Sequence, residues 1–585
     1  MTPRTKTTFW LAALLGAVAM TGLVITQTGG ESARAAGANY YVSASGNDGA
    51  SGSQAQPFRT VQKAADVTTA GDTVNITPGI YSAFTVDHSG ASNARITFKG
   101  TASGVWIDGN CGAGNAIEIN GDYISMRDFG ARRSYEEVVR LTGADFATFD
   151  LMTITDWNCG EGEDQYRGGI SSWGGGRSLT IRDTYFERRL SVTGNDTGYG
   201  NGIWVKNTGP SAGSGHLFTG NTIIGGWDGI GGEPEDYSWG VFNGNTTIQN
   251  NTIRDCDDDG IQVEGGTHNV IVSGNTITGC LIGVAFAPAL GGPLTIQRNV
   301  IADSQPRRGE GPGMFKAGDG STGEIRIYHN SFFSGSVPSD GFKQTNADLG
   351  NIHLLNNAIY SGRYVWESYT HTGNVTSNYD AIFSTDGERL VKWANTWYAT
   401  IGQLQSGEGQ EVFGISPSSF GWDSNFRPLA GSALIDKGVK ITGVNDNFSG
   451  SAPDIGAFEF GSASANPTTT PTPTPAASAP AQPPPPAPTA TPVPTEEPST
   501  PPVTLAPTPP AVTISRFSGD VDCDGWVTAT DAIRLMQEAA GMPSKGCVHL
   551  ADVDCDGALT GKDGLAILYY VTRTDTRLPS GCPYP

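Results

Sequence analysis

The chain has 585 residues, including 80 glycines and 35 prolines, and its 58 acidic residues outnumber the 36 basic ones to give a formal net charge of -22. This length suits several domains, or one extended solenoid with additional modules. The acidic balance excludes a nucleic-acid partner, because no sizeable face of the protein could neutralise phosphates.

The N-terminal residues have the organisation of a secretory signal peptide. Arg4 and Lys6 precede an apolar stretch at 9–25, and the small residues at 32–38 ("SARAAGA") offer an A-x-A cleavage site. A retained membrane anchor is the alternative, because the apolar stretch is near the lower length limit for spanning a bilayer. We expect residues 1–35 to be removed, and the mature protein to be extracellular or associated with the cell surface, with no membrane segment.

The large segment at 36–460 repeats a short β run around an asparagine, as in "FTGNTI" (218–223) and "VSGNTI" (272–277). The asparagines at this position are Asn221, Asn251, Asn275, Asn299, Asn330 and Asn357. Their separations of 30, 24, 24, 31 and 27 residues, with glycine-rich connections, indicate a solenoid of parallel β-coils and not a propeller or sandwich. Asparagines stacked at an inward bend hydrogen-bond from coil to coil, which is a structural role.

The two ends of this segment carry further motifs. The stretch "YYVSASGNDGASGSQAQPFRTVQKAADV" (40–67) opens it, and "FRPLAGSALIDKG" (426–438) and "PDIGAFEF" (453–460) close it. On these motifs the segment resembles the secreted right-handed parallel β-helix proteins, including family 9 pectate lyases. The resemblance implies an all-β fold in which "FRTVQKAADV" forms a helix that covers the first coil. It leaves the reaction open, because such proteins include lyases, hydrolases, epimerases and members without known activity.

Acidic residues recur at one position of neighbouring coils. Aligning the coils on their asparagines superimposes "DGIGGE" (228–233) on "DGIQVE" (259–264), so Asp228 and Asp259 are expected about 4.8 Å apart. The acidic ledge defined in this way consists of Asp228, Glu233, Asp258, Asp259 and Glu264. Carboxylates so close repel unless a cation or water lies between them, which favours a cation here. The alternative is a solvated Asp-Gly turn.

The family resemblance extends to the acidic ledge. In family 9 pectate lyases an Asp-Asp-Gly-aliphatic-Asp run holds calcium, together with an aspartate one coil earlier. Asp258 and Asp259 match the start of this run and Asp228 suits the earlier position, whereas Gln262 replaces the last aspartate. The resemblance therefore implies one calcium ion at the ledge.

The implied chemistry is β-elimination on a uronate-containing polysaccharide. Calcium neutralises the uronate carboxylate and acidifies the C5 proton, and a lysine kept neutral by burial or adjacent positive charge removes that proton. Lys316 and Lys343 fall near the ledge on later coils, and Lys206 lies one coil earlier. Trp204 and Trp227 flank the ledge, where they either stack on sugar rings or fill bends. The alternatives are a glycoside hydrolase on the same fold, or a non-catalytic carbohydrate-binding or surface-assembly protein.

Four cysteines lie in the solenoid segment. The coil alignment puts Cys256 and Cys280 in one column, where the distance between coils suits a disulfide. Cys111 and Cys159 are left as a pair only by elimination.

Residues 461–514 consist mostly of proline, threonine, alanine and serine, as in "TPTPTPAASAPAQPPPP". Such a composition cannot bury a core and favours an extended, polyproline-like linker between two modules.

The final segment, 515–585, contains a duplication of 32 residues, "DVDCDGWVTATD" (520–531) and "DVDCDGALTGKD" (552–563). Oxygen ligands at positions 1, 3, 5, 9 and 12, with glycine at 6, are the pattern of an EF-hand-like calcium loop. The predicted ligands are Asp520, Asp522, Asp524, Thr528 and Asp531 in the first loop, and Asp552, Asp554, Asp556, Thr560 and Asp563 in the second. On this double motif the segment resembles a type I dockerin, a small α-helical domain, which implies two calcium ions and docking to a cohesin-type protein.

The same segment has a duplicated cysteine spacing. Cys523 and Cys547 are 24 residues apart, and Cys555 and Cys582 are 27 apart. In an exported protein this spacing suggests one disulfide per repeat.

Overall fold

The computed structural model describes residues 37–112, 114–159, 167–188, 200–209, 213–242, 244–265, 268–307, 309–318, 320–335, 338–345 and 348–462. The predicted signal peptide and dockerin, with its ten calcium ligands and its Cys523–Cys547 and Cys555–Cys582 pairs, lie outside the described residues, as does all but the start of the linker. None of the helices in the described part of the chain has the length and apolarity to cross a lipid bilayer.

The described residues form many short strands and two helices. In chain order these are β1 (Asn39–Val42), α1 (Val61–Ala65), β2 (Thr73–Ile76), β3 (Gly79–Ser82), β4 (Phe84–Val86), β5 (Ile96–Gly100), β6 (Val105–Asp108), β7 (Ile117–Ile119), β8 (Ile124–Arg127), β9 (Gly130–Arg132), β10 (Val139–Thr142), β11 (Thr148–Asp150), β12 (Thr153–Thr155), β13 (Gly168–Trp173), β14 (Thr180–Arg182), β15 (Tyr185–Glu187), β16 (Asn201–Asn207), β17 (Leu217–Thr219), β18 (Thr222–Ile224), β19 (Ile230–Pro234), β20 (Thr247–Gln249), β21 (Thr252–Arg254), β22 (Asp259–Gln262), β23 (Val270–Ser273), β24 (Thr276–Thr278), β25 (Ile282–Phe286), β26 (Leu294–Gln297), β27 (Val300–Ala302), β28 (Gly313–Ala317), β29 (Ile325–Tyr328), β30 (Ser331–Phe333), β31 (Asp340–Gln344), β32 (Ile352–Leu355), β33 (Ala358–Ser361), β34 (Trp366–Glu367), β35 (Val375–Asn378), β36 (Ala381–Ser384), β37 (Val391–Trp393), β38 (Thr396–Tyr398) and α2 (Ile401–Glu408).

The strands wind into three long sheets, so that each full coil contributes one strand to each sheet. The first sheet has 13 strands in the order β1-β2-β5-β8-β11-β14-β17-β20-β23-β26-β29-β32-β35. The site sheet, which carries the acidic ledge, has 13 strands in the order β4-β7-β10-β13-β16-β19-β22-β25-β28-β31-β34-β37-β38. The third sheet has 12, from β3 and β6 to β36. Neighbouring coils pair in parallel, as between β16 and β19, which confirms the predicted all-β solenoid.

The core is a stack of aliphatic side chains inside the coils. In the site sheet Ile203, Ile230 and Ile261 are paired from coil to coil and fully buried. Because side chains alternate between the faces of a strand, the residues next to these, such as Trp204, point outward. This alternation sets which positions of each coil can meet a ligand.

The predicted asparagine column is present and buried. Asn221 Nδ2 donates to Asn251 Oδ1 over 2.9 Å, and Asn251 Nδ2 donates to Asn275 Oδ1 over 2.9 Å. The pattern continues to Asn357, whose Nδ2 donates to Asp380 Oδ1 over 2.9 Å. The ladder therefore satisfies buried polar groups at the same bend of successive coils, which is the structural role expected.

The N-terminal helix and the disulfides agree with the predictions from the sequence, except that the helix is shorter. Helix α1 is present but spans only Val61–Ala65, within the longer run that was predicted, and packs against the first coils. Disulfides join Cys256 to Cys280 and Cys111 to Cys159, with Cα–Cα distances of 4.6 and 5.7 Å.

Candidate functional site

Three polar residues occupy one register position at the start of neighbouring strands in the site sheet. They are Asn201, Asp228 and Asp259, each two residues before a buried isoleucine. Asn201 Oδ1 accepts a hydrogen bond from the Asp228 backbone N–H over 2.9 Å, and Asp228 Oδ1 accepts one from the Asp259 backbone N–H over 2.9 Å. These bonds hold Asp228 between two coils, at the position expected from the coil alignment.

The structure brings three members of the acidic ledge together. Asp228, Asp258 and Asp259 each offer one carboxylate oxygen, and these oxygens lie within 4.8 Å of one another. Asp228 and Asp259 are buried and Asp258 is half-buried. Burial, and then the charges of Asp259 and Asp258, raise the pKa of the Asp228 carboxyl. A cluster of hard oxygen ligands under mutual repulsion is suited to a cation.

Close packing shapes the outward surface beside this cluster. A Cβ atom at Gly231 would lie 3.2 Å from Asp228 Oδ2 and 3.2 Å from the Gln262 side chain. Glycine at this position therefore allows the Asp228 carboxylate and the Gln262 amide to approach the sheet surface without displacement.

Lys316 reaches the acidic ledge from two coils away. Its Nζ lies 3.0 Å from Asp259 Oδ2. The sheet register places Ala285 between Gln262 and Lys316, so the lysine side chain crosses one whole coil to meet Asp259. Because alanine has only a methyl group, it leaves room for the lysine side chain to pass over it, and Ala285 is fully buried. The lysine thus contacts the cluster directly, as one of the two candidate bases.

The environment of Lys316 differs from the one expected for a neutral lysine. Burial lowers the pKa of the ammonium group, but the charges of Asp259 and Asp258 and the hydrogen bond to Asp259 outweigh it and raise the pKa overall. The neighbours of Lys316 are therefore carboxylates, and not the adjacent positive charge that would favour a neutral lysine.

The other two lysines have different surroundings. Lys343 lies beside Lys316 in the register of the next coil and is followed there by Glu367. In the described ranges no ion pair joins it to the ledge. Lys206 Nζ lies 3.0 Å from Glu233 Oε2, so Glu233 is paired on the opposite side of the ledge from Lys316.

A pocket opens beside the cluster. This ledge pocket has a volume of about 110 Å³, and its wall combines carboxylates with aromatic rings. Its polar and aromatic lining residues are Asn201, Trp204, Trp227, Asp228, Glu233, Tyr237, Gln262 and Glu264. Glu233 and Glu264, which the coil alignment superimposes, line the same pocket as Asp228. Trp204 is almost fully buried and packs on Trp173 with ring centroids 4.8 Å apart, whereas Tyr237 is 42% exposed.

Comparison with known families agrees with this architecture. The family described as "Right handed beta helix region" matches residues 82–359. The parallel coils of this part of the chain agree with that description. Residues 44–90 match a second family, described as "Protein of unknown function (DUF1565)". No curated protein sequence matches the chain.

Solved structures resemble the β-helix at low identity. The match to the crystal structure of pectate lyase Pel9A has 17% identity and a TM-score of 0.41, and covers 72% of this chain and 96% of that one. The match to the PL6 family alginate lyase AlyGC has 14% identity and a TM-score of 0.45, and covers 58% of this chain and 49% of that one. The match to the GH136 lacto-N-biosidase from Eubacterium ramulus has 12% identity and a TM-score of 0.32, and covers 57% of this chain and 65% of that one. At these values the matches support no statement about the reaction.

Sequence reasoning missed a group of charged residues on later coils of the β-helix. Arg363 Nε lies 2.9 Å from Asp340 Oδ1, and its Nη2 lies 2.7 Å from Glu367 Oε2. Lys392 Nζ lies 3.9 Å from Glu367 Oε1 and 3.8 Å from the centroid of the Tyr369 ring. Burial raises the pKa of Asp340 although Arg363 opposes the shift. Only Asp340 had a signal in the sequence, since its "DGFKQT" run aligns with the ledge motifs.

Proposed function

We propose that the protein is a secreted polysaccharide lyase whose β-helix acts on uronate-containing glycans by β-elimination. The observation that carries the proposal is the contact between Lys316 and Asp259 within a cluster of three aspartates. The cluster borders an open pocket with aromatic walls, which suits a sugar ring. Carboxylates and an amine in one open site are the groups that proton abstraction next to a carboxylate requires.

The three aspartates are the proposed cation ligands. Asp228, Asp258 and Asp259 offer oxygens within 4.8 Å of one another, and oxygen is the ligand atom that calcium takes. Gln262 occupies the position where family 9 pectate lyases have an aspartate. Its neutral side-chain oxygen lies 3.4 Å from the Gly232 backbone nitrogen. When bound, calcium neutralises the uronate carboxylate and so acidifies the C5 proton.

Lys316 is the proposed base. Its Nζ accepts the C5 proton of the uronate, and the electron pair of the broken C–H bond forms the C4–C5 double bond as the C4–O bond breaks. The leaving oxygen keeps the electrons of that bond and takes a proton from water. Asp259 positions this Nζ by the 3.0 Å contact. Because Asp259 and Asp258 raise the pKa of Lys316, the lysine acts as a base only when these carboxylates are neutralised.

The proposal is tested by the ultraviolet absorbance of unsaturated uronate products. Purified protein is incubated with pectins, alginates and glycosaminoglycans, with calcium and with chelator. We expect a calcium-dependent increase on at least one of them. Lys316→Met should lower its rate by roughly 10²–10⁴-fold, the usual contribution of a general base.

The matched control is Lys99→Met, since Lys99 is exposed on the first sheet, away from the ledge. It should keep the activity of the unchanged protein. Titration calorimetry should show one calcium ion fewer in Asp228→Asn than in the unchanged protein, because the C-terminal loops keep theirs, and no loss in Lys99→Met. No absorbance change and no new reducing ends on any glycan would favour the non-catalytic binding protein instead.

For the C-terminal segment we propose docking to a cohesin-type protein through the two calcium loops, with two calcium ions. The support is the duplicated motif at 520–531 and 552–563. A pull-down of the full chain on immobilised cohesins should depend on calcium, and the variant Asp520→Ala/Asp552→Ala should not bind. Binding that persists in chelator would contradict this assignment.

A further inference from the structure

The charges on the outward face of the site sheet differ between the acidic ledge and the coils that follow it. One register column runs through successive coils as Trp204, Gly231, Gln262, Ala285, Lys316, Lys343, Glu367 and Lys392, where Gly231 and Gln262 each follow the paired Ile230 and Ile261. At the ledge the column borders the pocket lined by carboxylates. Beyond the ledge the column carries three lysines, with Glu367 between the last two. A glycan lying along this face therefore meets two different electrostatic environments.

The ledge pocket is suited to a sugar without a carboxylate. Besides Asp228, a proposed calcium ligand, the carboxylates of Glu233 and Glu264 line it, and Lys206 is paired with Glu233. A uronate placed against these two glutamates would hold its charge beside theirs, which costs free energy even at partly exposed positions. A neutral sugar would instead donate hydroxyl hydrogen bonds to the carboxylates and stack on the exposed Tyr237 ring.

The opposite end is suited to a uronate. Asp340 and Glu367 are buried and paired with Arg363, whereas Arg363 and Lys343 are both partly exposed. Guanidinium and ammonium groups at a surface bind carboxylates through charge-assisted hydrogen bonds.

Aromatic rings accompany these cations. Trp397 is 56% exposed and Tyr369 is 40% exposed, and Lys392 Nζ lies 5.4 Å and 3.8 Å from their ring centroids. Lys392 is itself buried and paired with Glu367, so these exposed rings offer a sugar residue a stacking surface and not the charge of that lysine.

We propose that the β-helix binds a heteroglycan, with a neutral sugar residue in the ledge pocket and a uronate residue over the Lys316, Lys343 and Arg363 side. The substrate class is thus a polymer that contains both uronic acid and neutral sugars, and not a polyuronate. This inference rests on the proposed function for the chemistry at the ledge, whereas the distribution of charge along the groove stands without it.

Binding measurements on the full chain test the inference separately from catalysis. The probes are the rhamnogalacturonan backbone, which alternates galacturonate with rhamnose, and polygalacturonate, compared by titration calorimetry in calcium buffer. We expect the alternating polymer to bind at least about tenfold more tightly, the effect of one additional charge-assisted contact.

Two variants locate the effect in the ledge pocket. Tyr237→Ala should weaken binding of the alternating polymer about fivefold, and leave polygalacturonate within about twofold, because only one of them places a ring there. Glu233→Gln should improve polygalacturonate binding, because it removes a repelling charge and leaves Lys206 to attract the uronate. The control is Phe460→Ala, whose ring is also 42% exposed but belongs to the C-terminal end of the β-helix.

The outcomes separate the two proposals. Equal or tighter binding of polygalacturonate, an equal loss for both polymers in Tyr237→Ala, or no binding of either polymer would overturn the inference. Preference for the alternating polymer without unsaturated products would support the inference while the lyase proposal fails.

Discussion

Removing one asparagine from the buried ladder should destabilise the β-helix strongly. Asn275 Nδ2 donates to Asn299 Oδ1 over 2.9 Å and to the Ile248 carbonyl over 3.0 Å. Its Oδ1 accepts from the backbone and side-chain nitrogens of Asn251 over 3.0 and 2.9 Å. Asn275→Ala removes four hydrogen bonds and leaves their partners buried, so at about 1 kcal/mol each the free energy of unfolding should fall by about 4 kcal/mol.

The assay is urea denaturation followed by circular dichroism, with Asn120→Ala as control. Asn120 also bonds across coils, from its Nδ2 to Asp87 Oδ1 over 2.8 Å, but it is exposed. Water replaces that bond, so the control should lose less than about 1 kcal/mol. If the free energy of unfolding falls no more in Asn275→Ala than in the control, the buried asparagine ladder does not stabilise the β-helix as proposed.

Two further predictions concern the stability of the β-helix. Ser377 Oγ is within hydrogen-bonding distance of both Asp380 Oδ2 and Glu411 Oε1, and burial raises the pKa of both carboxyls. A raised pKa means that their contribution is complete below the ordinary carboxyl pKa of about 4 and is lost as the pH rises through the folded-state values. The melting temperature of Asp380→Asn should therefore depend less on pH across this range than that of the unchanged protein, and an identical pH profile would contradict this. The double variant Cys256→Ala/Cys280→Ala opens a loop of 24 residues, which should cost about 3 kcal/mol of unfolding free energy. Denaturant titration measures this loss, and an unchanged midpoint would show that neighbouring coils hold the segment without the disulfide.

Much of the β-helix could be predicted because its contacts repeat. Each coil packs on the next, so the spacing of the asparagines indicates which residues share a column. The alignment therefore placed Asp228 beside Asp259 and Cys256 beside Cys280, as the structure has them. Residues outside the repeat gave no such signal: Glu367 lies on a strand of two residues and Tyr237 on a connection between strands.

The sequence by itself determined the coil repeat, the asparagine ladder and the column of acidic residues, because these depend on spacing along the chain. Only the tertiary structure decided that Lys316 crosses the Ala285 coil to reach Asp259, and that its surroundings are acidic. The reach of a side chain, and the charges that it meets there, depend on residues brought together from several coils. That is why the three lysines could not be told apart by sequence, and why the change from an acidic to a basic groove appeared only in the folded protein.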